Sequence, residues 1–144
     1  LGATHEFLMG RLENIKTLID DQKSYGATKS SGNIADVLQQ IEQQGLTRTH
    51  NVFVVHGTDG EDNNGSRTEY LSSVDRQQIQ TNRAAAERIL NSLIELERKD
   101  SSSTRPRIVT LACGLRSQEG IAFYQRLADL SLGSFCNEAS VETC

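Results

Sequence analysis

Tryptophan is absent from this chain, proline occurs once, and aromatic residues make up only 5%. Hydrophobic residues reach 36%, below the usual globular level, so the core has to be concentrated on a few elements. No apolar run approaches the roughly 20 residues of a membrane span. No basic stripe exists either. The net charge is −4 and the lysines and arginines are scattered, which argues against nucleic acid as the main partner because counterions could not be displaced along a duplex. The three cysteines, Cys113, Cys136 and Cys144, are an odd and sparse set without metal-ligand spacing, so neither a disulfide scaffold nor a zinc site is expected. Cys113 lies in an apolar run and reads as a small buried hydrophobe.

The first residues, Leu1-Gly2-Ala3-Thr4-His5-Glu6, lack the basic start and apolar core of a signal peptide. They also lack an initiator methionine, so the chain is expected to be a piece of a longer protein. The sequon Asn64-Gly65-Ser66 matters only in a secreted chain, and the balance leans towards an intracellular location. At 144 residues a single domain is expected.

What is present is a set of periodic segments. Leu8, Leu12, Ile15, Leu18 and Ile19 recur at helical spacing between Thr4 and Gln22. A small-residue loop from Tyr25 to Gly32 follows, then a helix from Asn33 to Gln43 with Gly45 as its stop. Asn51 to Val55 reads as a strand, Asp59 to Ser73 as a long polar loop, and Val74 to Lys99 as a long helix. Arg107 to Cys113 is a near-continuous apolar run, read as a strand buried on both faces. Glu119 to Leu130 is a further helix, and Gly133-Ser134-Phe135-Cys136 begins a last strand. There is no internal repeat and no low-complexity tract. Helices alternating with strands imply parallel strands and helical crossovers, hence an α/β, Rossmann-like fold with a mainly parallel sheet and helices on both faces. Four helices against three strands leave the sheet short, so the domain is expected to be incomplete at its N-terminus, with another chain a candidate to complete the sheet.

The densest chemistry lies at Val52-Phe53-Val54-Val55-His56-Gly57-Thr58-Asp59-Gly60-Glu61-Asp62, where a β-branched run ends in a turn with three carboxylates. A strand that delivers an acidic residue from its carboxyl end is how open α/β sheets build ligand sites. Thr and Asp offer hard oxygen ligands suited to Mg²⁺, Ca²⁺ or Mn²⁺.

Taken in order, several segments resemble the later part of a von Willebrand factor type A domain. Gly26-Ala27-Thr28 with the helix carrying Ile34, Ala35 and Leu38 is similar to that family's glycine-threonine loop. Val52 to Asp62 resembles its strand ending in Thr-Asp-Gly, and Ile108 to Gly114 its next strand. Phe123 to Phe135 resembles its closing helix and final strand. The resemblance covers most of residues 1–144 and implies a non-enzymatic protein-interaction module. In that family a divalent cation sits atop the sheet, and an acidic residue of a protein ligand completes its coordination. Carried over, the cation-binding residues are Thr28 and Asp59, with side-chain oxygens expected within roughly 8 Å of each other, the span across one cation and a water. The family's first motif, D-x-S-x-S, has no counterpart ahead of Thr28. A cation (Mg²⁺, Mn²⁺ or Ca²⁺) is therefore expected in the complete domain and none in this piece alone. Asp100-Ser101-Ser102-Ser103-Thr104 comes close to that motif but follows a helix and precedes a strand, which puts it at the wrong end of the sheet.

Two other readings compete. Val54-Val55-His56-Gly57 resembles the His-Gly oxyanion segment of α/β-hydrolases, which would need a nucleophilic serine at a strand-to-helix elbow. Ser117 is the nearest candidate, though its flanking glycines, Gly114 and Gly120, stand at the wrong offsets. The third reading is a metal-free structural α/β module, in which Asp59, Glu61 and Asp62 form a solvated turn.

Overall fold

The computed structural model describes residues 29–58, 61–65 and 71–138. The helix expected between Thr4 and Gln22 lies outside the described residues. Within them the chain runs α1 (Ser30–Gln43), a single 3₁₀ turn (Leu46–Arg48), β1 (Phe53–Thr58), α2 (Ser73–Lys99), β2 (Arg107–Cys113), α3 (Gln118–Ser131) and β3 (Ser134–Glu138). The three strands form one sheet in the order β1-β2-β3, and both pairings are parallel. The fold is mixed α/β and Rossmann-like, a parallel sheet flanked by helices.

Local chemistry explains where the helices start and stop. Ser72 accepts a hydrogen bond from the Asp75 N–H and donates its hydroxyl to the Asp75 carboxylate, closing the first turn of α2. Arg98 and Lys99 stand in its last turn, where a positive charge meets the negative end of the helix dipole. Between them Ile79, Ala86, Ile89, Leu90 and Leu93 fall on one face and are buried. α1 buries Ile34, Ala35, Leu38 and Ile41 in the same way. Ser117 caps α3 by accepting from the Gly120 N–H, and Leu132 ends that helix in the left-handed region at φ 57°.

One core cluster joins all of these. Ile34, Leu38, Leu90, Leu93, Phe123 and Leu127 pack with Ile108 and Ala112 of β2, and Val54 and Phe135 lean on them from the neighbouring strands. Strand side chains alternate between faces, so Val54, Ile108 and Phe135 look into this cluster. Phe53 and Val55, on the opposite face of β1, stay 61% and 68% exposed.

The strand expected to be buried on both faces, Arg107 to Cys113, is covered fully on one face only. β2 also alternates, with Ile108, Thr110 and Ala112 buried and Val109, Leu111 and Cys113 only half-buried. Cys113 is thus no core residue, because the strand's period of two turns it to the less covered face. β1 itself lies later than the expected Asn51 to Val55. Gly57 and Thr58 continue the ladder opposite Leu111 and Ala112, so backbone pairing carries the strand past its apolar run.

The link from α3 into β3 crosses the backbone of β2 closely. A Cβ placed on Gly133 would stand 1.9 Å from the Ile108 carbonyl oxygen, so only glycine fits there. Ser131 accepts the Ile108 N–H at 3.0 Å, satisfying a donor that the ladder leaves over. Cys136, in β3, is disulfide-bonded, a single bridge that the sparse cysteine spacing did not reveal. Bridging depends on how close the backbone brings two Cβ atoms, which sequence spacing does not report.

Candidate functional site

Parallel strands carry the loops that follow them to one end of a sheet, and here the loops after β1 and β2 emerge together. The first of them turns back on itself. Asp62 is buried and accepts hydrogen bonds from the backbone N–H and the hydroxyl of Ser31, at the start of α1. Its other oxygen accepts from the Asn64 N–H at 3.0 Å. A carboxylate at the first turn of a helix also complements the helix dipole. This contact pulls the start of α1 back to Ser30, three residues before the expected Asn33, because Asp62 provides the acceptor that the local sequence lacks.

The second loop is held by Glu61. One of its oxygens accepts the backbone N–H of both Arg116 and Ser117, the latter at 2.8 Å. Leu115 is fixed from the other side by Asn137, which accepts its N–H and donates to its carbonyl. Three segments that are remote in sequence, beginning at Ser31, Glu61 and Leu115, are therefore tied into one surface at the carboxyl end of the sheet.

Beneath that surface polar side chains sit against the core. His56 stacks on Tyr124 with ring centroids 5.5 Å apart. Burial lowers its pKa, partly offset by the negative charge of Asp62. Its register partner is Thr110, and His56 Nδ1 and Thr110 Oγ1 are both buried without a hydrogen-bond partner. Burial also pushes the Tyr124 hydroxyl up.

Beside the surface opens a cleft of about 470 Å³ between α2, the Glu61–Asp62 segment and the start of α3. Arg76 and Arg83 line it from one helix and Ser117 from the other. The charged members Arg76 and Arg83 were not singled out by sequence reading, since they are two ordinary surface arginines of a long helix until the fold brings loops against them. Their seven-residue spacing is the one available sign that they share a face.

Thr28 and Asp59, the carried-over cation ligands, lie outside the described residues. Among the described residues no group of three or more His, Cys, Asp or Glu side chains is placed to hold a metal ion. Ser117 is engaged as the cap of α3. His56 and Gly57, the proposed oxyanion segment, lie inside β1 rather than in a loop after it. The Asp100–Ser103 turn, which Asp100 stabilises by accepting from the Ser102 N–H and hydroxyl, leads into the start of β2, away from the site. Among the described residues no helix is long and apolar enough to cross a membrane. No family model matches the chain, and comparison with curated proteins and with solved structures returns no match.

Proposed function

We propose that this chain is part of a protein-interaction module of the von Willebrand factor type A kind, recognising its partner at the carboxyl end of the sheet. The observation that supports this reading is the convergence of loops there, with Ser31 on Asp62 and Glu61 on Ser117. Thr28 stands three positions before Ser31, and Asp59 three before Asp62. In this reading Thr28 and Asp59 offer a hydroxyl and a carboxylate oxygen to Mg²⁺, Mn²⁺ or Ca²⁺. Asp62 has both oxygens committed to Ser31 and Asn64, and Asp59 is the carboxylate that the resemblance assigns to a cation. Hard cations take about six oxygens. Two protein ligands leave room for water and for an acidic side chain of the partner, which is how the bound ion would report the partner's presence.

The same reading gives a role to the edge of the sheet. β1 and β3 are the two outer strands among the described residues, and an outer strand is where a further strand can add to a sheet. A further strand, from another chain or from the longer protein, would pair with the backbone along Phe53–Gly57. Titrating the protein with Mg²⁺ or Mn²⁺ should raise its melting temperature by mass action, and Asp59→Ala should abolish the rise. Hydrolysis of a simple ester by the purified protein, lost on Ser117→Ala, would replace this reading with the enzyme.

A further inference from the structure

Asn64-Gly65-Ser66 is the one Asn-x-Ser/Thr triplet in the chain, and its middle residue is not the proline that would block it as a sugar acceptor. Asn64 stands in the connection between β1 and α2, on a tight turn. It and Gly65 both have positive φ, 55° and 74°, the pairing that a reversing turn of the primed type requires and that Asn-Gly adopts most readily. The turn is pinned at both residues. The Asn64 N–H donates to Asp62 at 3.0 Å and the Gly65 N–H to Asn63 Oδ1 at 3.1 Å. From this turn the Asn64 side-chain amide reaches the start of α2, where Nδ2 donates to Asp75 Oδ1 at 3.1 Å.

That contact leaves room for a modification of the same nitrogen. A side-chain amide nitrogen carries two hydrogens, and Asp75 takes one of them. N-linked transfer of a sugar consumes one hydrogen and leaves the other, so a sugar and the Asp75 contact can share Nδ2. Neither Asn64 nor Asp75 belongs to the buried core, so a group attached there need not displace packed side chains. A separate observation bears on the compartment. Cys136, on β3, is disulfide-bonded, and structural disulfides persist in oxidising surroundings, the secretory lumen and the outside of cells, whereas the cytosol keeps thiols reduced. The bridge weighs against the intracellular location expected from the sequence, because cysteine spacing does not report which pairs the fold brings together. Turn and bridge lie on different elements and owe nothing to each other, yet both belong to a chain that matures outside the cytosol.

We infer that this chain matures in the secretory route and carries an N-linked oligosaccharide on Asn64. In the transfer, Asn64 Nδ2 attacks the anomeric carbon of a lipid-diphosphate-linked oligosaccharide. The N–C bond forms, the C–O bond to the diphosphate breaks, the lipid diphosphate leaves, and Nδ2 gives up one proton to a base of the transferase; nothing is oxidised or reduced. The attached group is bulky and hydrated, and it stands beside the turn that Asp62 and Asp75 hold between them. The inference does not depend on the partner or the cation proposed for the carboxyl end of the sheet.

The test starts from native protein captured from its own cells with an antibody raised against the chain. Treatment with peptide-N-glycosidase should move it to a faster band on a denaturing gel, and mass spectrometry of the released peptide should read an aspartate in place of Asn64. Cys136 should resist alkylation until the protein is reduced. The acceptor itself is tested by expressing the chain in eukaryotic cells behind a secretion signal. The wild type should leave the cells with one glycan, and Asn64→Gln and Ser66→Ala should each lose it completely. Ser66→Ala keeps Asn64 on its turn, so the comparison stands if Asn64→Gln does not fold. Native protein unmodified at Asn64 overturns the inference. So does a secreted chain that stays without sugar, or a native Cys136 that is alkylated before reduction.

Discussion

Glu61 accepts the backbone N–H of Ser117 at 2.8 Å across 56 residues of chain, and so fastens the loop after β1 to the start of α3. The first N–H groups of a helix have no partner inside it, and a carboxylate there meets both the free donors and the positive end of the dipole. The same oxygen takes the Arg116 N–H, so a single side chain sets the relative position of two of the site's loops.

Removing that side chain should loosen one end of the molecule without unfolding it. Glu61→Ala is expected to raise the exchange rate of the Ser117 amide about tenfold while the amides of Leu90 and Ile108, buried in the core, keep their protection. The stability loss should be near that of a lost helix cap, about 1 kcal/mol. Glu61→Gln, which keeps an acceptor but not the charge, should fall between. Equal exchange at Ser117 in all three proteins would show that the contact holds nothing in place.

His56 gives the molecule a pH response whose sign follows from its surroundings. Burial against Tyr124 disfavours the charged ring, and the Asp62 charge restores only part of what burial removes. The folded-state pKa is therefore below the ordinary value near 6.5. With the unfolded chain binding the proton more readily, this histidine's contribution is complete above about pH 6.5 and is lost as pH falls through the folded pKa. Denaturant midpoints should drop between pH 7 and 5.5, and His56→Phe should flatten that part of the profile. The imidazole proton of His56, followed by NMR, should titrate with a midpoint under 6.5, and a midpoint above it would reverse the argument.

How far the sequence reaches is best seen in particular residues. Ile79, Ala86, Ile89, Leu90 and Leu93 announce α2 because a helix buries one face, and the structure buries those residues. The apolar run Ile108 to Cys113 announces β2, but the run alone does not say which of its residues face the core. Phe53 and Val55 look like core and are exposed, because a strand's burial is decided by what lies on each face and not by its composition. The site fared differently. Its loops were legible as polar interruptions after two strands, whereas the ties between them, Ser31 to Asp62 and Glu61 to Ser117, span 31 and 56 residues. Nothing local encodes such contacts; they follow from parallel strands bringing successive loops to one end. Arg83 is the extreme case, an unremarked helix residue until Phe123 comes to lie beneath it.

The opposite end of the sheet is closed by Arg105, and its contacts predict a second pH effect of different origin. Its guanidinium donates to Glu97 Oε1 through Nε and Nη2, at 2.9 and 2.7 Å, and its backbone N–H donates to Oε2 at 2.7 Å. Nη1 reaches the Leu130 carbonyl at 2.9 Å. One residue thereby joins the end of α2, the approach to β2 and the end of α3. The hydrogen bonds from Arg105 hold the Glu97 carboxyl below its ordinary pKa. A depressed carboxyl contributes stability above its unfolded-state pKa, about 4.3, and loses it as pH falls through the folded value. Arg105→Ala should cost about 1.5–3 kcal/mol at neutral pH, the range for hydrogen bonds to charged groups. Glu97→Gln keeps one of the two acceptors and sets an NH₂ against the other Arg105 donors, so it should cost a similar amount at neutral pH. The gap between wild type and Glu97→Gln, measured by urea denaturation, should be constant from pH 7 down to about 5 and close below pH 4. A gap that persists unchanged at pH 3 would mean that the pair acts through packing and not through its charge.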